Sequence, residues 1–426
     1  RRYRIDFADP AQVLWRQHFP CDLYVDSTMQ ALIDAHKGAK ISMTYDWPAV
    51  TKSHDILFLG LGAEENEASF YDFLLWFVRR ENGVWNYDHA TNAYKLSAAK
   101  AAEGTPLKLS ARDTRTVEVR FPEAARHAVS VLNSYTESAG KKDIPNDVGV
   151  AGVRRDILLD TSISSQVDDR KTLETAKLFQ REAELSIVFR RFPTITLRPG
   201  TLVDFSSKTW SDNVFQKNGT YRVRDVRIEA NALDQAQTPP ENQQWGSFSI
   251  ELTALFEKKE DPYVALPSFQ APWYPVLVEG KVVSEEGAKE DETYQFYTNK
   301  NTSADQYKVK VPLFENKVVV VDYNPNHFAG HFYFPAFKDE RVLLAMEFQR
   351  AWIKRFLDWR PGARLPMDGQ GNHLLLGLKA KNQTSISHVY VDKKPVFAVK
   401  RMLEKDTELI KLEEGIMLLQ TKEESE

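Results

Sequence analysis

Cysteine is almost absent from this 426-residue chain, where Cys21 stands alone. One thiol cannot build an intramolecular disulfide framework or a cysteine-ligated zinc site. Lying just before a strand with no evident histidine partner, it reads as a quiet core thiol rather than a nucleophile. Long apolar runs are missing too. No window approaches about eighteen consecutive apolar residues, so no helix is expected to span a bilayer. The opening RRYRIDFADP lacks the apolar stretch of a signal peptide. Charge of one sign is scarce: 56 Lys and Arg against 60 Asp and Glu leave −4, a field that favours neither nucleic acid nor an anionic membrane. No glycine-rich phosphate loop and no Gly-x-Ser-x-Gly elbow is found.

What is present is the composition of a packed protein, 42% apolar and 27% charged, at a length suited to roughly two to four domains. Arg in place of Met at the start, and a strand-like YRIDF, predict that a further segment precedes Arg1. QVLWRQHFPCDLYV reads as extended. In STMQALIDAHKG, Met29, Leu32, Ile33 and His36 share one helical face, with Ser27 or Thr28 to cap the start and Gly38 the end. The aromatic-dense stretch SFYDFLLWFVRRENGVWNYDH, residues 69–89, places Phe70, Phe73, Leu74, Phe77 and Val78 at i, i+3, i+4, i+7 and i+8. Ser69 can cap that helix, Asp72 takes the capping-box position and Gly83 ends it. Trp85 and Tyr87 follow in a predicted β-hairpin. A helix is predicted over 168–186, and TLVDF, TYRVRDVRIEA and SFSIELTALF read as strands of an antiparallel barrel or sandwich. A proline-punctuated stretch puts a boundary near 262. Six short strands follow, VLVEGKVVSEE, YKVKVPLF, KVVVVDYN, HFYFPAF, RVLLAMEF and HLLLGLKA, and they suit a small closed barrel of the OB type. The apolar strands of the tail call for partner chains, because a lone sheet of that size is marginal in water.

The chemistry-bearing residues favour no catalytic set. His327 and His331 are four apart, but a Phe follows the first and the surrounding Asn-Pro and Gly make a turn. Glu81 and His89 have no nucleophile or second carboxylate nearby. Asp168–Asp169, Glu285–Glu286 and Glu413–Glu414 are sequence neighbours, which a strand sends to opposite faces. The segment around 350–360 interleaves Trp352, Phe356 and Trp359 with Arg350, Lys354, Arg355 and Arg360. That pattern is compatible with stacking on nucleic acid, and its i, i+4, i+7 spacing with an amphipathic helix packed on the barrel or on a neighbouring chain. Catalytic residues, cofactors and metal ligands are therefore all expected to be none.

The order of parts resembles the VgrG and contractile-tail hub-spike family. The resemblance rests on YRIDFADPAQVLWRQHFPCDLYVDSTMQALIDAHK, on NEASFYDFLLWFVRRENGVWNYDH, and on LETAKLFQREAELS followed by FRRFPTITLRPGTLVDF and NGTYRVRDVRIEA. EGKVVSEEG, YKVKVPLF and RVLLAMEF fall where that family has its OB-fold, and YVDKKPVFAVKRMLEKDTELIKLEEG where its intertwined β-spike begins. It implies a mainly β protein with short helices (α+β). Its parts are the end of a first hub barrel (1–15), an α+β hub subdomain (16–105), a second hub β-barrel (106–262), an OB-fold-like domain (263–378) and the start of a trimeric β-spike (379–426). Phe70, Phe73, Leu74, Phe77, Trp85 and Tyr87 would be hub scaffold core. Val396, Phe397, Val399, Leu409, Leu412, Ile416 and Leu418 would lie in the trimer interface. The implied partners are two further copies in a homotrimer, the hexameric tail-tube protein, a PAAR-type tip protein or effector, and baseplate wedge proteins, with no nucleic acid. Assembly in the bacterial cytoplasm and ejection through the envelope would follow. Much of the family's first barrel and its terminal glycine- and valine-rich repeats have no counterpart here. An OB-fold protein gripping single-stranded nucleic acid is the alternative.

Overall fold

The computed structural model describes residues 8–100, 104–232, 248–284, 297–298, 305–322, 338–357, 371–379 and 382–423. The protein is mainly β with short helices. It divides into two compact units, Arg1–Leu14 with Lys37–Thr51 and Tyr71–Ala271, and Trp15–His36 with Lys52–Phe70 and Pro272–Glu426. The stretch 16–105 is thus shared between them. Pro10–Trp15 is a helix, not the extended segment the sequence suggests. Asp9 is the reason: its Oδ1 accepts the Gln12 amide at 3.1 Å while Pro10 takes the first helical position, a pairing that suits a helix start.

In the first unit, the helix Phe70–Arg80 ends by a device the sequence only half disclosed. Asn82, not Gly83, adopts the left-handed conformation, with φ 58°. The Gly83 amide then reaches back to the Val78 carbonyl at 2.8 Å, the longer hydrogen bond of a Schellman ending. Gly83 is needed for a different reason. A Cβ there would stand 2.3 Å from the Trp47 ring, and that ring packs 5.3 Å from the ring of Phe77. Phe73, Leu74 and Phe77 are buried. Val84–Asp88 and Ala93–Ser97 form the expected hairpin, and Ser42–Asp46 joins its second strand in parallel. Trp85 and Tyr87 are half-buried, each against Tyr94.

The same unit holds a six-stranded sheet in the order Leu107–Lys108, Leu202–Asp204, Thr220–Ala232, Phe248–Lys258, Glu184–Phe189, Thr114–Arg120. Leu185, Ile187, Val203, Tyr221, Val223 and Phe256 fill its core. The helix expected over 168–186 runs instead over Ser164–Lys177, because Glu184–Phe189 is drawn between two strands of this sheet. That helix packs Val167 onto a small sheet of Arg154–Leu159, Ala128–Asn133 and Gly140–Ile144. A charge network runs through the unit. Glu257 meets Lys100 at 2.5 Å and Arg222 at 3.1 Å, and Arg181 meets Asp261 at 2.9 Å. Burial lowers the pKa of Lys100 against the pull of the Glu257 carboxylate.

In the second unit, Cys21–Thr28 pairs antiparallel with Ser53–Gly60 and contributes Leu23 to a core shared with Phe58, Val309, Val319 and Leu344. The helix Met29–His36 buries Met29, Leu32 and Ile33. Its last residue joins a polar cluster: the His36 ring hydrogen-bonds His18 and Tyr24, each at 3.0 Å, and lies 3.4 Å from Asp22. Burial lowers the pKa of both histidines, with the Asp22 carboxylate opposing it. Five strands then close a circuit. Val276–Val283 pairs with Asp305–Val311, which pairs with Lys317–Asp322. That strand meets Ala351–Phe356 in parallel, and Arg341–Met346 returns to Val276–Val283.

Two expectations change here. Residues 351–356 are a strand, not part of an amphipathic helix. The ladder to Arg341–Met346 buries Ala351 and Ile353 in the core and overrides a spacing that suited either period. HLLLGLKA does not join the circuit, since Gly371–Lys379 pairs with Asn382–Val391 of the tail. HFYFPAF, His327, His331, Glu285, Glu286, Trp359 and Arg360 lie outside the described residues.

Candidate assembly surface

The tail is an antiparallel meander in which each strand pairs with its sequence neighbour: Gly371–Lys379, Asn382–Val391, Lys394–Leu403, Asp406–Glu413 and Ile416–Lys422. Two-residue turns join the last four, Asp392-Lys393, Glu404-Lys405 and Glu414-Gly415. Both residues of the first and last turns have positive φ, 48° and 64°, then 42° and 79°. Such turns match the right-handed twist of the strands they connect and fix the register without slack.

That register decides what lies on which face. Leu374, Ile386, Val399, Ile410 and Leu419 stand opposite one another across all five strands, an unbroken apolar row. Two residues along, on the same face, come Asn372, His388, Phe397, Leu412 and Met417. Arg401 and Glu408 continue this face, with one guanidinium nitrogen 2.9 Å from each carboxylate oxygen. On the other face, Lys400, Lys411, Glu413, Ser385 and Ser387 alternate with Val396, Leu409, Ile416 and Leu418. The seven expected interface residues are therefore not brought together. Phe397, Val399 and Leu412 share the apolar face; Val396, Leu409, Ile416 and Leu418 lie on the mixed one. Leu374, Ile386, Ile410, Met417 and Leu419, which sequence reasoning did not single out, complete the apolar face, although alternation counted from Phe397 finds Ile410 and Leu419 once the turns are known.

The apolar face is open to solvent: Ile410 is 44% exposed, Leu412 43% and Leu419 64%. On the mixed face Val396 is 4% and Leu375 8% exposed. A depression of about 390 Å³, lined in part by His388, Phe397, Leu412 and Met417, indents the apolar face. The outer edge of Ile416–Lys422 pairs with no described strand. Exposed apolar patches of this kind mark interaction sites, and an open edge offers backbone pairing to another chain. Chemically, the surface can be covered and extended; it presents no convergent set of acid, base and nucleophile.

The other singled-out residues are dispersed. Glu81 pairs with Arg80 at 3.0 Å, while His89 sits at the hairpin turn against Tyr87. Asp168 meets Lys142 at 3.1 Å. Cys21, expected as a core thiol, is instead exposed at the first position of its strand, where side chains alternate between faces; desolvation by its surroundings, with the Asp22 carboxylate beside it, raises its thiol pKa. Trp352 is half-buried beneath the Arg350 guanidinium at 5.5 Å. Among the described residues no group of three or more His, Cys, Asp and Glu is placed to hold a metal, and no helix is long and apolar enough to cross a membrane.

No protein-family model matches the chain, and no curated protein matches it in sequence. Solved structures do. The lidless PdpA–VgrG complex contains a chain that aligns with a TM-score of 0.72 at 12% identity, over 97% of this chain and 79% of that one. The lidded and half-lidded Francisella PdpA–VgrG complexes align at 0.70 and 0.68, each at 13% identity and over 97% of this chain, covering 65% and 71% of theirs. Sharing nearly its whole path with these chains at so low an identity, the protein has a VgrG-like fold.

Proposed function

We propose that this chain is the structural hub and spike component of a contractile injection machine, a homotrimer that links a hexameric tail tube to a membrane-puncturing tip. Its neighbours would be the tube protein, a PAAR-type tip protein or effector, and baseplate wedge proteins. It would assemble in the bacterial cytoplasm and leave through the envelope. The observation that carries the proposal is the apolar face of the tail sheet, with its five-residue row across five strands. An antiparallel meander has no second layer of its own, and burying one face against two further copies supplies it. The five-strand circuit supports the reading as well. Numbered along the chain, with the two-residue strand Tyr297–Thr298 at the edge left out, its order is 1-2-3-5-4-1 with a parallel contact between the third and fifth strands, which supports the expected OB-type barrel. The role would be mechanical, a rigid shaft in which bending one chain requires distorting all three.

Electron microscopy of the purified chain tests this directly. Threefold particles bearing a narrow spike are expected. A monomer at micromolar concentration, with the tail intact by mass spectrometry, would sink the proposal.

A further inference from the structure

The first unit contains a groove that the spike reading does not use. Its volume is about 630 Å³, within the range of about 300–1,000 Å³ common to ligand sites. It lies where two helices end, at Arg79 and Asn82 on one and Lys177 and Phe179 on the other, and where Arg155 projects from a strand. Its remaining wall is the stretch 262–269, which belongs to no helix or strand. Among the described residues lining it, four are basic and none is acidic.

The bland account is that basic residues at helix ends merely offset the helix dipoles. Two C-termini together amount to about one negative charge, so that account covers one cation and no more. Lys177 and Arg170 share the single carboxylate of Glu174. Arg181 and Arg224 are matched by Glu184 and Asp261. Arg79 and Arg155 are both exposed and have no carboxylate partner among the described residues. Arg79 instead lies over the Phe269 ring at 5.8 Å. The groove keeps a net positive charge after every local partner is counted.

Its other walls narrow the ligand further. Phe179 and Tyr263, each 45% exposed, and half-buried Leu266 and Phe269 supply aromatic and apolar surface. The amides of Val264, Ala265, Leu266, Ser268 and Phe269 make no hydrogen bond to another described residue. A run of open backbone amides beside aromatic and apolar side chains and arginines is what an extended peptide needs. Free phosphate would use the arginines and leave the rest idle.

We infer that this groove binds an extended acidic peptide segment of another protein, anchored by an aromatic side chain. Carboxylates of the segment would pair with Arg79 and Arg155, its aromatic side chain would sit among Phe179, Tyr263 and Phe269, and its backbone would lie along 264–269. The inference goes beyond the spike reading and does not depend on it.

The test uses the full-length chain and a fluorescein-labelled heptapeptide, Glu-Asp-Glu-Phe-Glu-Asp-Glu with blocked ends, followed by fluorescence polarisation. Saturable binding is expected, weakened at least tenfold in the doubly charge-reversed R79E/R155E variant and again in Phe179→Ala. All three positions are exposed, so the fold should survive, and a thermal melt confirms it. A control peptide with serine at its centre should bind at least tenfold more weakly. Equal binding of that control would reduce the groove to a generic anion patch and overturn the inference. So would absence of binding to the parent, or unchanged binding in both variants. If R79E/R155E instead loses the parent's oligomeric mass in light scattering, the groove belongs to a second copy of this chain, and the inference is wrong.

Discussion

Ile410 is the fourth of the five residues in the apolar row, between Val399 and Leu419. Replacing it by Asp should dissociate the proposed trimer. At 44% exposure the isoleucine still has about 0.7–1.3 kcal/mol to gain from full burial, taking roughly 1.5–3 kcal/mol for the whole side chain. Asp forfeits that and places a carboxylate among leucines with no cation in its row, at a desolvation cost of several kcal/mol. Together these come to about 4 kcal/mol per chain and roughly 12 kcal/mol per trimer. At about 1.4 kcal/mol per tenfold, the association constant falls by roughly nine decades. Leu409→Gln on the mixed face is the paired control, since its cross-strand neighbours are Lys400 and Gln420. Light scattering after gel filtration, from about 1 to 50 µM, reads both. The expected result is a monomeric I410D and a trimeric L409Q. If both keep the parent's mass, or if L409Q dissociates while I410D does not, the assignment of the buried face is refuted.

Other perturbations reach the units themselves. Gly83→Ala drives a Cβ to within 2.3 Å of Trp47 and should cost about 1–3 kcal/mol, read as a lowered urea midpoint; an unchanged midpoint would mean Trp47 can yield. Glu257→Gln leaves Lys100 and Arg222 without their shared carboxylate and should cost about 3–5 kcal/mol in the same assay, whereas a smaller loss would mean the cations find water. Burial depresses the folded-state pKa of His18 and His36 below 6.5. The unfolded chain therefore binds more protons between those folded values and about 6.5, and stability present above about pH 6.5 is lost as pH falls through the folded values. Melting temperatures at pH 7.5 and 5.5 should differ, and His36→Gln should reduce the difference; an equal difference in the variant would place the titration elsewhere.

Some of this architecture was plain in the residues, for physical reasons. The helix at 70–80 carries five apolar positions at helical spacing, too many for any other period to accommodate. The tail strands are rich in apolar residues and stop at turn residues. By contrast, Trp352 and Phe356 satisfied a helical spacing and a strand equally, and only pairing with Arg341–Met346 decided between them. The helix at Pro10 was hidden because its signal is a single capping Asp before a proline. The division of the seven expected interface residues between two faces depends on register, which three two-residue turns fix and hydropathy does not report. The groove draws Arg79, Arg155, Lys177 and Tyr263 from four separate segments, so no local pattern could announce it.

The strand Ile416–Lys422 has a consequence for how such a protein must be made. Its first four residues, Ile416, Met417, Leu418 and Leu419, are 41–64% exposed, uncharged and free of proline, the composition that seeds cross-β stacking. A copy waiting alone is therefore an aggregation hazard in proportion to its concentration and its waiting time. In the proposed trimer, capture by its own kind would have to outrun capture by misregistered neighbours. Slow translation of few messages would raise the risk, and synthesis of several copies side by side on one polysome would lower it. Yield should thus track how closely in space and time the copies emerge, more than how stable each one is.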